Sequence, residues 1–236
     1  MSSFKYSIFF IVLFCGSQTN NVNSSSQKSE NPLGIHSQDG WKNSLPIKYT
    51  ISIEMTDTQH QYLKNAMQSW EKAVAKKLFE FEGTDPHKGI DFSDLYEPLK
   101  MGLNGHFFDM TWAKSTGKPN SVLATTVWEN DPNMTQAILH SSIRYNQEYY
   151  IFGDATKDQS QDKKTIVDMQ SLCTHELGHF LGLSHVPSTS DSSSIMNPTL
   201  KIGEGNTNRF MSSGDVDRVR SIYGVGDSTQ SQEVIK

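Results

Sequence analysis

Three things are scarce in this 236-residue chain: cysteine, positive charge gathered in one place, and long apolar runs. The only cysteines, Cys15 and Cys173, cannot build a disulfide scaffold. Lys and Arg number 21 against 26 Asp and Glu, for a net charge of −5, and they form no long basic run. Nucleic acid is thereby excluded as a partner, because phosphate binding needs a concentrated positive surface. No stretch approaches the roughly 20 apolar residues that a bilayer-spanning helix requires. What is present is core material: 35% hydrophobic residues, with 12 Phe, 8 Tyr and 4 Trp. That composition supports one folded domain over most of the chain.

The N-terminus reads as an address. Lys5 lies in a short polar start, and Ile8 to Cys15 are uninterruptedly apolar, the pattern of a charged region followed by the core of an export signal. Gly16 to Asn31 then holds five Ser, four Asn and two Gln, too polar to bury a core, so residues 16–40 read as a tether or short pro-segment. Cys15 stands where the apolar run stops and resembles the acylated cysteine of a bacterial lipoprotein. Ordinary cleavage near Gly16 or Ser17 is the competing reading. Either way the expected location is extracytoplasmic, secreted or at the cell surface, with membrane contact only through a lipid on Cys15.

In the remainder, Ile47 to Met55 alternates as a strand should. Thr56 and Gln59 stand at capping-box spacing before an apolar stripe of Leu63, Met67, Trp70, Val74 and Leu78, which predicts a helix. Glu82 to Thr116 reads as loops around a short strand. Val122 to Glu129 and Ala137 to Asn146 read as strands joined by the turn Asn130-Asp131-Pro132-Asn133, and Tyr149 to Phe152 as a further short one. Helices are expected over Asp168 to Leu181 and Gly214 to Tyr223, with a polar loop from Ser188 to Ser194. Residues 225–236 form a tail.

The chemistry sits in His175-Glu176-Leu177-Gly178-His179-Phe180-Leu181-Gly182-Leu183-Ser184-His185, which fills H-E-x-x-H-x-x-G-x-x-H completely. Residues four apart on a helix share a face, so His175 and His179 can grip one zinc ion. Gly182 can take the left-handed conformation that ends a helix, letting the chain turn and bring in His185 as third ligand. Three protein ligands leave a tetrahedral position for water, the mark of a catalytic rather than a structural zinc. Glu176 lies about 100° further around the helix, better placed to reach that water than the metal. It can take a proton during attack and return it to a leaving amine. The reaction class is metal-assisted amide hydrolysis.

This motif is that of the metzincin zinc endopeptidases, and Ser194-Ile195-Met196-Asn197-Pro198 looks like their methionine turn, with Met196 an apolar base and not a ligand. Within metzincins the chain most resembles the matrixins, the family of the matrix metalloproteinases, and above all the small bacterial ones. Trp41 with Leu45 and Tyr49, Asp168 to Ser171, and Asp215-Val216 through Ser221-Ile222-Tyr223-Gly224 carry that similarity, which spans residues 41–224. Leu200, where matrixins often carry Tyr, and Val186, where they usually have Ser or Thr, depart from the pattern.

The resemblance implies an α+β zincin-like catalytic domain: a twisted mixed sheet, an active-site helix and a small irregular C-terminal subdomain. It implies an edge strand, here Leu123-Ala124-Thr125, that pairs with extended substrate, and a pocket wall from Pro198 to Leu200. It also implies structural Ca2+, for which Asp131, Asp154 and Asp158 are candidates. A second zinc is not expected, since His106, Asp109 and His140 lack the spacing. Cys173 should be a small core residue, and His36 or Asp39 could block the zinc before trimming. The implied activity is an exported zinc endopeptidase acting as a monomer on proteins or peptides. The alternatives are a catalytically silent binding or inhibitory module, against which the intact Glu176 speaks, and a structural zinc protein.

Overall fold

The computed structural model describes residues 11–12, 34–157, 166–203 and 205–226. The export signal apart from Ile11–Val12, Cys15, most of the tether, Asp158 and all but the first two residues of the tail lie outside the described residues.

Strand β1 (Ile11–Val12) pairs antiparallel with the equally short β9 (Thr199–Leu200). The domain proper starts on β2 (Ile47–Ser52), whose alternation buries Ile47, Tyr49 and Ile51. Helix α1 (Asp57–Val74) opens with the expected capping box: the Gln59 amide donates to Thr56 Oγ1, and the Gln59 side chain accepts from the Thr56 amide. The helix stops before Leu78, because Ala75 takes a left-handed conformation at φ +51°. Leu78 stays fully buried nonetheless. The amides of Leu78 and Phe79 donate to Glu71 Oε1, which turns the chain into β3 (Phe79–Asp85), parallel to β2.

The region read as loops is therefore more ordered than its composition suggests. It holds β3, short helices α2 (Glu97–Lys100) and α3 (Trp112–Thr116), and the fully buried strand β4 (Gly105–Asp109). Buried Arg144 pins it, donating to Gly89 O at 2.8 Å and pairing with buried Asp109. Long-range pairing of this kind leaves no local period for a sequence pattern to show.

Strands β5 (Ala124–Asp131) and β6 (Met134–Asn146) form the anticipated hairpin, somewhat longer than its apolar segments indicate. The five-stranded sheet runs β3-β2-β4-β6-β5, parallel except for the antiparallel edge strand β5. A second small sheet pairs β7 (Ile151–Gly153) with β8 (Ile166–Asp168). Helix α4 (Met169–Phe180) follows β8 directly, capped by Asp168, whose Oδ1 accepts from the Ser171 amide at 3.0 Å. It packs between α1 and the sheet: Trp70 Nε1 donates to Thr174 O at 3.0 Å. Residues beyond it are irregular except for β9 until α5 (Ser213–Tyr223), which opens with a second capping box from Ser212 to Asp215. This is the mixed-sheet α+β architecture expected. Among the described residues no helix is long and apolar enough to cross a membrane.

Residues 34–40, assigned by composition to the tether, are part of the folded unit. Gly34, Ser37 and Gly40 are buried, and the Asp39 amide donates to Gln136 O at 2.9 Å. Packing against β6 overrides their polar composition.

Candidate metal centre

Every residue of α4 from Ser171 to Phe180 is buried, so the helix has no solvent face. His175 and His179 lie one turn apart in this dry setting, and Gly182, at φ +106°, turns the chain so that His185 returns to them. Among the described residues, these three histidines form the only group of three or more metal-ligating side chains, with ligand atoms within 4.8 Å of one another.

The ring orientations follow from what the other nitrogens touch. His175 Nδ1 donates to Ile195 O at 2.6 Å, and His179 Nδ1 donates to Leu183 O at 2.8 Å. A carbonyl only accepts, so both Nδ1 atoms carry the proton and both Nε2 atoms present lone pairs. These two Nε2 atoms lie 3.1 Å apart, and the buried His185 Nε2 has no hydrogen-bond partner among the described residues. Three acceptors converging without a donor make a cradle for a cation, and neutral imidazoles suit zinc. Burial favours that neutral form, pushing His175 down to about 4, His185 to about 3 and His179 well below its usual range.

Glu176 is fully buried beside them. Its Oε2 accepts from Thr126 Oγ1 at 2.6 Å, while Oε1 has no partner among the described residues. Burial pushes this carboxyl up to about 7, and the Thr126 hydroxyl works the other way. The carboxyl therefore has one oxygen anchored and the other available, as a proton acceptor would need.

The methionine turn supports the centre from below. Met196 is fully buried, and a Cβ at Gly178 would overlap its Sδ and come within 3.0 Å of its Cε. The motif's unspecified position thus needs glycine for closeness rather than for φ. Buried Asp215 holds the turn: Ser194 Oγ donates to Oδ1 at 2.6 Å and the Ile195 amide to Oδ2 at 2.9 Å. Asp215 fixes Ile195, and Ile195 O fixes the His175 ring.

Leu123, Ala124 and Thr125 are buried at the start of β5, the sheet edge from which Thr126 reaches Glu176. Pro198 is half-buried and Leu200 is buried, just beyond the methionine turn. Cys173 is fully buried, its Sγ 3.4 Å from the Tyr145 hydroxyl. His106, Asp109 and His140 do not converge: Asp109 pairs with Arg144, and the buried His106 ring lies against Tyr145 and Phe180. Of the calcium candidates, Asp154 is engaged by Arg209, Lys157 and Thr156, and Asp131 caps its own turn by accepting from the Asn133 amide.

Sequence reading missed Thr126 and Asp215 as parts of the site. Thr126 shares a strand face with Ala124 by the two-residue period, a signal available but not used. Asp215 showed only within the stretch that resembles the family's C-terminal helix.

The sequence model described as Matrixin matches residues 40–224. A stretch of 79 residues is 34% identical to Metalloendoproteinase 1 of Glycine max, covering 33% of this chain and 23% of that relative.

Proposed function

Because this chain belongs to the matrixin family, we propose that it is a zinc-dependent metalloendopeptidase hydrolysing peptide bonds in proteins or peptides. The observation that carries this reading is Glu176, a buried carboxylate with one unpartnered oxygen beside three converging imidazole nitrogens. His175, His179 and His185 would hold the ion through Nε2. Zinc bound there supplies Lewis acidity, lowering the pKa of a water and polarising the scissile carbonyl.

The rest is done by the chain. Thr126 holds Glu176 Oε2 and so aims Oε1. Glu176 accepts the proton of the attacking water and then releases it to the leaving amine. Burial of the site excludes competing bulk water. The outer edge of β5 at Leu123, Ala124 and Thr125 offers main-chain groups to an extended substrate. Pro198 and Leu200 line the pocket for the residue after the scissile bond. The apolar run ending at Cys15 supports export, and that cysteine supports a lipid anchor at the cell surface.

The test uses the full chain beside Glu176→Ala, each given casein and a mixed peptide library with and without a zinc chelator. Cleavage by the wild type is expected, abolished by chelation and reduced at least ~100-fold in the variant. Stoichiometric zinc with no cleavage of any peptide would overturn the peptidase and favour a binding module.

A further inference from the structure

The last turn of a helix leaves carbonyls that the helix cannot satisfy, and in α4 those carbonyls belong to the metal-binding segment itself. Phe180 O accepts from Trp41 Nε1 at 2.7 Å, and Leu181 O from the Tyr223 hydroxyl at 2.8 Å. His179 O, which already takes the Gly182 amide at 3.0 Å, and Gly182 O just beyond the helix are met further from residues 34–37. His179 O accepts from His36 Nε2 at 2.8 Å, and Gly182 O accepts from the amides of His36 and Ser37 at 2.8 and 3.1 Å. The Ser184 amide in turn donates to Gly34 O at 2.9 Å, completing an antiparallel bridge between Ile35 and Leu183.

The segment so held, Gly182 to Ser184, is the turn that delivers His185. Its fit is close: a Cβ on Gly182 would lie 2.8 Å from Ser37 O, and one on Gly34 would meet Val186 and Arg218 side chains at 3.0 Å. The strap is anchored at its other end. Ser37 Oγ donates to Gln136 O, the Ile138 amide donates to Gly40 O at 2.7 Å, and His36 stacks on Trp128 of β5 with ring centroids 3.9 Å apart. The sheet therefore braces the turn through residues 34–40.

We infer that residues 34–37 are a positioning element of the metal centre: they hold the turn that carries His185 and the backbone of His179, so that removing them releases the metal rather than exposing it. The inference rests on the three histidines being ligands. It assigns this segment a role opposite to that of a blocking pro-segment. Proteolysis that cut away Gly34 to Ser37 would switch the centre off, so the active chain retains them.

The test compares the full-length wild type with His36→Ala and Ser37→Pro, using zinc and cobalt(II) as probes. His36→Ala removes the bond to His179 O and the stack on Trp128 while keeping every backbone bond of the strap. Ser37→Pro removes one amide donor to Gly182 O and, with the hydroxyl, the bonds to Gln136 O and from the Gly40 amide. Zinc affinity is read by competition with a chromophoric chelator, ligand geometry by the cobalt d–d spectrum, and folding by unfolding of the metal-free protein. Loss of a partner outside the ligand shell typically weakens metal binding ~10–100-fold, and that loss is expected in both variants, with a changed cobalt spectrum and a metal-free unfolding midpoint close to wild type. Should Ser37→Pro fail to fold, His36→Ala alone decides. Unchanged zinc affinity and spectrum in His36→Ala would overturn the strap and leave the peptidase reading standing. A wild type that binds neither metal would overturn both.

Discussion

The Glu176 carboxyl lies under opposed influences: burial raises its pKa, while the Thr126 hydroxyl and the charge of Lys118 lower it. Burial wins, leaving the carboxyl of the metal-free protein at about 7. Thr126→Val removes the hydroxyl that donates to Glu176 Oε2. The acid limb of the kcat/KM profile is then expected to move to higher pH, with kcat at neutral pH falling ~10-fold, read with one peptide from pH 5 to 9. An unmoved acid limb would mean that the limb reports another group. The histidines tell the complementary story: His175 and His179 each give Nδ1–H to a backbone carbonyl, so their Nε2 lone pairs are aimed by main-chain geometry that no motif spells out.

At the level of elements, the methionine turn and α5 act together through Asp215. Its carboxylate accepts from Ser194 Oγ, the Ile195 amide and the Ser212 amide, and it pairs with Arg218. Asp215→Asn keeps the shape but replaces one acceptor with a donor facing other donors, and leaves a largely buried guanidinium without its counter-charge. The expected cost is ~2–4 kcal/mol in urea unfolding. Zinc affinity should fall as well, because Ile195 O no longer stays fixed beneath His175. Normal metal binding in that variant would show that the turn is held by Met196 packing alone. Helix α4 shows why its environment was hard to read: buried all round, it has no apolar stripe, and only its ligand spacing announced it. The capping boxes of α1 and α5 are local, and Thr56 with Gln59 was legible for that reason. Strand β3 was not, since its pairing with β2 spans a whole helix and its side chains are mostly exposed.

For the whole molecule, the metal centre is also a pH-dependent stability term. In the metal-free protein the three histidines have folded-state pKa values below the ordinary 6.5, so the unfolded chain binds more protons below that pH. Their contribution is present above about 6.5 and is lost as pH falls toward 4. Glu176, raised to about 7, has the opposite sign: its contribution is present below 4.5 and is lost as pH rises through 7. Three histidines outweigh one carboxyl, so metal-free protein should lose stability as pH falls from 6.5 to 4, read by urea unfolding across that range. Zinc at 100 times its Kd should restore ~2.7 kcal/mol at pH 7, read as a rise in Tm. Equal Tm with and without zinc would contradict the assignment of these histidines as a shared site.

Sequence by itself pointed to the three histidines that the fold brings together and to the carboxyl beside them, because H-E-x-x-H-x-x-G-x-x-H encodes its geometry within 11 consecutive residues of one helix and one turn. It also indicated the starts of α1 and α4, whose caps are contacts three residues long, and the β5–β6 hairpin around its polar turn. Tertiary structure decided the rest. Thr126 meets Glu176 across 50 residues of sequence, and His36 reaches His179 O across 143. A polar segment such as 34–40 carries no periodic sign that it will be buried. It folds because another element's unsatisfied carbonyls and a sheet edge are waiting for it, and such partners exist only once the chain has come together.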